Sequence, residues 1–322
     1  MRNFLYLLII LSSFNASSQN ISYVWGMHFP ALIDPTEVCC FDYDKDGTLD
    51  DGLGDFLVTL QAQSTSNFQD GINQGILDNS IVKAFDWQDL DVLQTNQSFS
   101  FQFLDAQINN PNITLQQRMD GLAELLIPTG QVDNLFTANH NLGILNATAN
   151  QVSGLLNLQF DAQQGLVPLT LNTVKLNATL IENPIAKEEG IYTDDITAIN
   201  PIIVGGMKIG GILPSDEFLG VLDAQYRTCT CAGVDSTQPL ITTTIFFGTL
   251  VVSCAQSGLT PENCTAGSFC ASVNDFCSNA IGIGSTFDID ENNDGVNDAY
   301  SVALRYGVSA TSDGIIYSDG FE

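Results

Sequence analysis

Basic residues are scarce in this chain: 9 Lys and Arg stand against 37 Asp and Glu, for a formal net charge of −28. Such a charge repels phosphate backbones and anionic lipid surfaces, which excludes nucleic acid and acidic membranes as partners. Histidine is nearly absent, with His28 and His140 the only two. Tryptophan is limited to Trp25 and Trp87. No later segment offers the roughly 20 apolar residues that a membrane helix needs. The runs at 202–213 and 245–252 are short and interrupted by glycine or threonine. The sequence also holds no G-x-S-x-G, no H-E-x-x-H and no phosphate-cradling lysine loop. No catalytic residue is assigned, and the chain reads as a non-enzyme. Carboxylate pairs such as Asp86/Asp89 and Asp194/Asp195 carry little weight where acids number 37.

What is present describes a folding chain. Only 14% of residues are charged and 44% are hydrophobic, so the acidity reflects missing bases and not a disordered tail. At the N-terminus Arg2 precedes the apolar run of residues 4–11, and Ala16 and Ser18 fit a cut before Gln19. This reads as a secretory signal over residues 1–18 and predicts a secreted or cell-surface protein of a bacterium. Eight cysteines, Cys39, Cys40, Cys229, Cys231, Cys254, Cys264, Cys270 and Cys277, suit an oxidising compartment. We expect structural disulfides, since no histidine lies near Cys39-Cys40 or Cys229-x-Cys231 to complete a zinc set. Their connectivity stays open among 105 pairings.

The hydrophobic pattern predicts a mainly β protein, antiparallel and sandwich-like, with several short helices; α+β is the alternative. Phe99, Phe101 and Phe103 alternate with serine and glutamine, and residues 156–160 and 176–180 alternate likewise. Asparagine, glutamine and threonine fill the outward positions. Helices are expected between 53 and 79, over 113–126, and after Ser215 as an N-cap, with Phe218, Leu219, Leu222 and Tyr226 as an apolar stripe. A strand is expected over 242–252 and another around 300–308. His140, between two asparagines, reads as a turn residue. Four segments follow: the signal, an N-terminal β region over 19–183, a Gly/Pro-rich linker or hinge over 184–213, and a disulfide-rich region over 214–322.

Two acidic loops carry the strongest chemical signal. Residues 42–50 and 290–298 share the pattern D-x-[DN]-x-D-G-x-x-D. Oxygen ligands at alternate positions, with glycine at the sharp turn, suit calcium at six to eight oxygens. The expected ligands are Asp42, Asp44, Asp46, the Thr48 carbonyl and Asp50 in the first loop. In the second they are Asp290, Asn292, Asp294, the Val296 carbonyl and Asp298, with Asp288 or Glu291 close enough to assist. Four carboxylates against three predict tighter binding in the first loop. The glutamate of an EF-hand is absent, for Leu53 and Ser301 stand at the twelfth positions. The loops resemble those of thrombospondin type 3 repeats, integrin propellers and dockerins. The layout is similar to secreted bacterial proteins with such a loop near each end. The resemblance implies calcium binding, two ions in all. An echo also pairs Phe41-Asp42-x-Asp44 with Phe287-Asp288-x-Asp290.

These features predict an exported calcium-binding protein with a structural or adhesive role. The alternatives are an extracellular polysaccharide hydrolase, or a glycan-binding module in which Trp25 or Trp87 stacks on sugar rings. The final residues, Asp319-Gly320-Phe321-Glu322, resemble short tails of some exported gammaproteobacterial proteins.

Overall fold

The computed structural model describes residues 20–34, 39–63, 68–87, 90, 96–110, 112–119, 122–131, 134–141, 144–158, 167–179, 207–266, 268–284, 286–310 and 315–317. The signal segment, most of the linker and the C-terminal tail lie outside these residues. In chain order the elements are β1 (Asn20–His28), α1 (Pro30–Ile33), α2 (Gly52–Gln63), α3 (Phe68–Leu77), β2 (Lys83–Trp87), β3 (Asn96–Asp105) and β4 (Gln107–Ile108). Next come α4 (Leu115–Met119), β5 (Leu125–Ile127), β6 (Leu135–Asn141), β7 (Ile144–Leu158), β8 (Val167–Thr179) and β9 (Met207–Pro214). The chain continues through α5 (Ser215–Tyr226), β10 (Ile241–Phe246), β11 (Thr249–Cys254), α6 (Val273–Gly284), β12 (Ala299–Ala310) and β13 (Ile315–Tyr317).

The protein is mainly β with short helices, as the pattern predicts. Its strands close on themselves instead of stacking as two sheets. Eight form an antiparallel barrel in the order β1-β12-β9-β8-β7-β6-β3-β2, with β2 returning to β1. The interior of an eight-stranded barrel is narrow enough for side chains to fill. Here Phe85, Trp87, Phe101, Phe103 and Phe136 fill it. Phe101 lies nearly parallel to Phe136, with ring centroids 4.7 Å apart, and Trp87 sits 4.6 Å from Phe101. Tyr306 joins them and donates its hydroxyl to the Leu155 carbonyl at 3.0 Å. At one end Phe56 of α2, Phe218 of α5 and Phe287 surround Tyr300. Apolar residues therefore face inward and amides outward, the reverse of a lipid-spanning barrel. No described helix is long and apolar enough to cross a membrane.

Several expectations change. Residues 207–213, read as the end of the linker, belong to β9, a strand paired between β8 and β12. The barrel thus draws strands from both sides of that boundary. The helix expected over 113–126 ends at Met119, and Leu125 enters β5. α5 begins at Ser215, yet Pro214 holds the cap position and no side chain caps the helix. His140 lies buried in β6, not in a turn, because it continues the inward alternation of Phe136 and Ala138. Trp25 and Trp87 are 0% and 2% exposed, so neither offers a stacking surface for sugars. The expected helices between 53 and 79 are α2 and α3.

Helices α1 to α4 cover the outer wall of β1 and β12. Arg118 is buried there and caps α3 by donating to the carbonyls of Ile76 and Leu77 and to Asn79 Oδ1. Tyr23 in turn donates its hydroxyl to the Arg118 carbonyl.

At the end of β1, burial and then the nearby Arg305 charge lower the His28 pKa from 6.5 to about 4. A folded-state pKa below the unfolded one means that the unfolded chain takes up the proton first. Stability is full above the unfolded value and is lost as pH falls toward the folded one. At about 1.4 kcal/mol per tenfold change in proton affinity, His28 accounts for roughly 3 kcal/mol of acid destabilisation. A His28→Gln variant should lose that much less stability between pH 6.5 and about 4. Parallel unfolding curves for variant and parent across this window would refute the assignment.

Candidate metal centre

The two acidic loops are 248 residues apart in sequence, from Asp42 to Asp290, yet their backbones match position by position. Each is pinched at its base: the Asp50 N–H donates to the Phe41 carbonyl at 3.0 Å, and the Asp298 N–H to the Ile289 carbonyl at 2.8 Å. The glycine N–H donates back to the first aspartate, Gly47 to Asp42 Oδ2 at 3.1 Å and Gly295 to Asp290 Oδ2 at 2.8 Å. The fifth-position N–H donates to the third side chain, Asp46 to Asp44 at 2.9 Å and Asp294 to Asn292 at 3.0 Å. The seventh donates to the fifth, Thr48 to Asp46 at 2.7 Å and Val296 to Asp294 at 3.0 Å. The last aspartate accepts from the second residue, Asp50 from Tyr43 and Asp298 from Glu291.

The left-handed positions match too. Lys45 and Asn293 have φ of 64° and 61°, and Gly47 and Gly295 have 95° and 88°. A side chain resists such a backbone, which is why the motif requires glycine at the sixth position. These bonds hold the side-chain oxygens of both loops against their own backbone N–H groups. The register also corrects the echo noted in the sequence. Asp42 corresponds to Asp290, so Phe41 matches Ile289 and not Phe287.

The loops differ in one place that matters. In the first, carboxylate oxygens of Asp42, Asp44 and Asp50 all lie within 4.8 Å of one another. Asp42 Oδ1 is buried and accepts no hydrogen bond. Burial, together with the charges of Asp44 and Asp42, pushes the Asp50 carboxyl above its ordinary pKa. In the second loop Asn292 stands where the first has Asp44, and its amide donates to Asp298 Oδ2 at 3.0 Å. The first loop therefore gathers three carboxylates bonded only by backbone N–H groups, whereas in the second a side-chain amide also donates. Every donor in the two sets is oxygen, which fits calcium and not a metal that prefers nitrogen or sulfur. Asp46 stands apart from the convergent trio, since its carboxylate takes both the N–H and the hydroxyl of Thr48.

Both loops dock on the outer wall of β8, β9 and β12. Tyr43 packs against Ile212, Ile289 and Ala299, which brings the two loops to one patch. Lys175 of β8 lies 4.3 Å from the centre of the Tyr43 ring and donates to the Asp42 carbonyl at 3.2 Å. Gly210 allows this contact: a Cβ there would meet the Phe41 ring at 2.9 Å and the Val302 carbonyl at 2.6 Å. On the other side, Asn172 of β8 donates to Glu291 at 2.7 Å.

The two residues expected to assist the second loop do something else. Glu291 is turned to Asn172, and Asp288 accepts from the Ser301 N–H at 2.8 Å and from its hydroxyl. Neither joins the ligand circle; they tie the loop to the barrel. Asp51, next to the first loop, has the same anchoring role that the sequence analysis did not assign. It accepts the N–H groups of Ala303 and Gly54, at 3.3 and 3.2 Å. Burial pushes its carboxyl up to about 7. An acid placed directly after one motif and another two residues before the other are the only sequence hints of this pair.

The cysteines pair as Cys39–Cys40, Cys229–Cys270, Cys231–Cys264 and Cys254–Cys277, with none free. All eight expected residues are thus in disulfides. The three long-range bonds staple the segment between β9 and β12, and its hairpin β10–β11 touches the second loop through a Thr249–Asn297 bridge. Compared with known protein families, with curated proteins and with solved structures, the chain matches none.

Proposed function

We propose that the protein binds two calcium ions, one in each acidic loop, and serves a structural or adhesive role outside the cell. The observation that supports this is the repetition of one loop geometry, with matched hydrogen bonds and matched left-handed residues, at two distant places in the chain. A solvated acidic turn has no reason to recur in such detail. A shared ligand does. The ions would relieve the repulsion among Asp42, Asp44 and Asp50 and fasten both loops to β8, β9 and β12. Four disulfides fit an oxidising environment, where millimolar calcium is also available to weak sites. The role is therefore one of holding shape rather than of catalysis.

Isothermal titration calorimetry tests the reading directly. Calcium should bind with a stoichiometry of two per chain, Asp42→Ala should remove the tighter site, and Asp290→Ala should remove the weaker one. A chain that takes up no calcium at millimolar concentration, by heat or by equilibrium dialysis, would end this proposal.

A further inference from the structure

Strands β3, β6 and β7 are neighbours in the barrel and contain 10, 7 and 15 residues. Between them they hold one Asp, Glu, Lys or Arg, Asp105, in a chain whose residues are 14% charged by that count. Ordinary soluble surfaces intersperse both signs of charge at roughly a quarter to a third of positions. This wall departs from that rule, and the alternation decides what replaces charge. With Phe101, Phe136 and Leu145 turned inward, the outward residues are amides and hydroxyls.

They stand in rows. Ser98, Asn139, Asn146 and Asn177 are directly opposite one another across β3, β6, β7 and β8. Ser100, Thr137, Thr148 and Lys175 form the next row. Rows of this kind repeat at about 4.8 Å across strands and about 6.8 Å along them. Within the first row Ser98 Oγ donates to Asn139 Oδ1 at 2.7 Å, and Asn177 Nδ2 to Asn146 Oδ1 at 2.8 Å. The oxygens are held by neighbours, and the amide N–H groups of Asn139 and Asn146 are left to solvent. Leu135 and Ile144, about half exposed, flank the array with apolar surface. Among the described residues nothing covers it.

We infer that this wall is a docking surface for a neutral polysaccharide. Charge selects the partner. A polyanion or an acidic membrane is repelled by a chain at −28, and a basic partner is drawn instead to the acidic loops beside this wall, on β8, β9 and β12. A bilayer interior requires an apolar band, which amides do not provide. An array of fixed neutral donors and acceptors matches a polymer of neutral hydroxyls, with Leu135 and Ile144 against its C–H faces. A shallow surface of this kind binds through repetition along the polymer, as linked weak sites do.

The test is co-sedimentation of the calcium-loaded protein with insoluble cellulose, chitin and agarose, with heparin-agarose as the polyanionic counterpart. Retention is expected on at least one neutral matrix but not through heparin, and it should be equal at about 0.1 and about 1 M salt. Asn139→Asp with Asn146→Asp should reduce it at least about tenfold while leaving the melting temperature and the calcium stoichiometry unchanged. If that pair destabilises the barrel, Ser98→Glu at the edge of the row provides the same charge test. No retention on any neutral matrix overturns the proposal, as does retention that the charge variants leave intact. A homodimer by light scattering that the same variants dissociate also overturns it, since the wall would then bind a second copy. A protein that binds no calcium yet keeps salt-insensitive retention refutes the loops' role and leaves this inference standing.

Discussion

Stripping calcium with a chelator is expected to lower the melting temperature by about 10 °C, relative to calcium at about 100 times each dissociation constant. A ligand that binds only the folded state stabilises it by about 2.7 kcal/mol per site at that excess. Two sites give about 5 kcal/mol, and in a protein of this size each kcal/mol moves the midpoint by about 2 °C. The first loop adds a sharper test. Asp44 stands where the second loop has Asn292, whose amide donates to Asp298. Asp44→Asn should therefore raise the melting temperature in chelator, by relieving repulsion with Asp42 and Asp50. It should also shrink the calcium increment, by replacing a charged ligand with a neutral one. The variant must raise the midpoint in chelator and shrink the calcium increment together. Equal melting temperatures with and without calcium would show that the loops stand unaided.

Reduction of the disulfides should unfold the segment from 229 to 277 and leave the barrel folded. The three long-range bonds close intervals of 41, 33 and 23 residues. In the chain-entropy view each restricts the unfolded state by about 3–4 kcal/mol, although overlapping loops add less than their sum. The lobe's own apolar residues are few and mostly small, among them Val234, Leu240, Val252 and Val273. Its core centres on Tyr226 stacked on Phe269 at 4.2 Å, with Phe276 at 4.7 Å. A segment so small buries too little apolar surface to hold without staples. No barrel strand lies between Cys229 and Cys277. Limited proteolysis after reduction should therefore cut inside the lobe and spare β1 through β9. Loss of the barrel in the same transition, or full resistance once thiol counts prove reduction, would contradict this division.

The loops were legible in the sequence because their ligands, turn and glycine all fall within nine residues. The alternation in β3 and β8 was legible for a similar reason, since a strand writes its two faces every second position. What was not legible depends on partners far away. Nothing local says that β12 lies between β1 and β9. β9 looked like a linker because Gly210 and Gly211 resemble punctuation, yet Gly210 is small because the Phe41 ring rests on it. His140 looked like a turn residue because of its asparagine neighbours, which in fact point outward. The helix expected to reach Leu126 stopped early because Leu125 pairs with Ile315 and Ile108 instead. Asp51 and Asp288 lie just outside their motifs, and only the fold reveals that they grip β12.

The seam strand sets a condition on the whole chain. β12 occupies residues 299–310, between β1 near the N-terminus and β9 in the middle. A truncation before residue 299 would leave an open sheet with two bare margins, at β1 and β9, each with a row of unsatisfied amides and carbonyls. Such margins recruit strands from other molecules. The polypeptide thus cannot protect its own edges until β12 has been made. Shortened forms of it should be found in aggregates, not as smaller folded units.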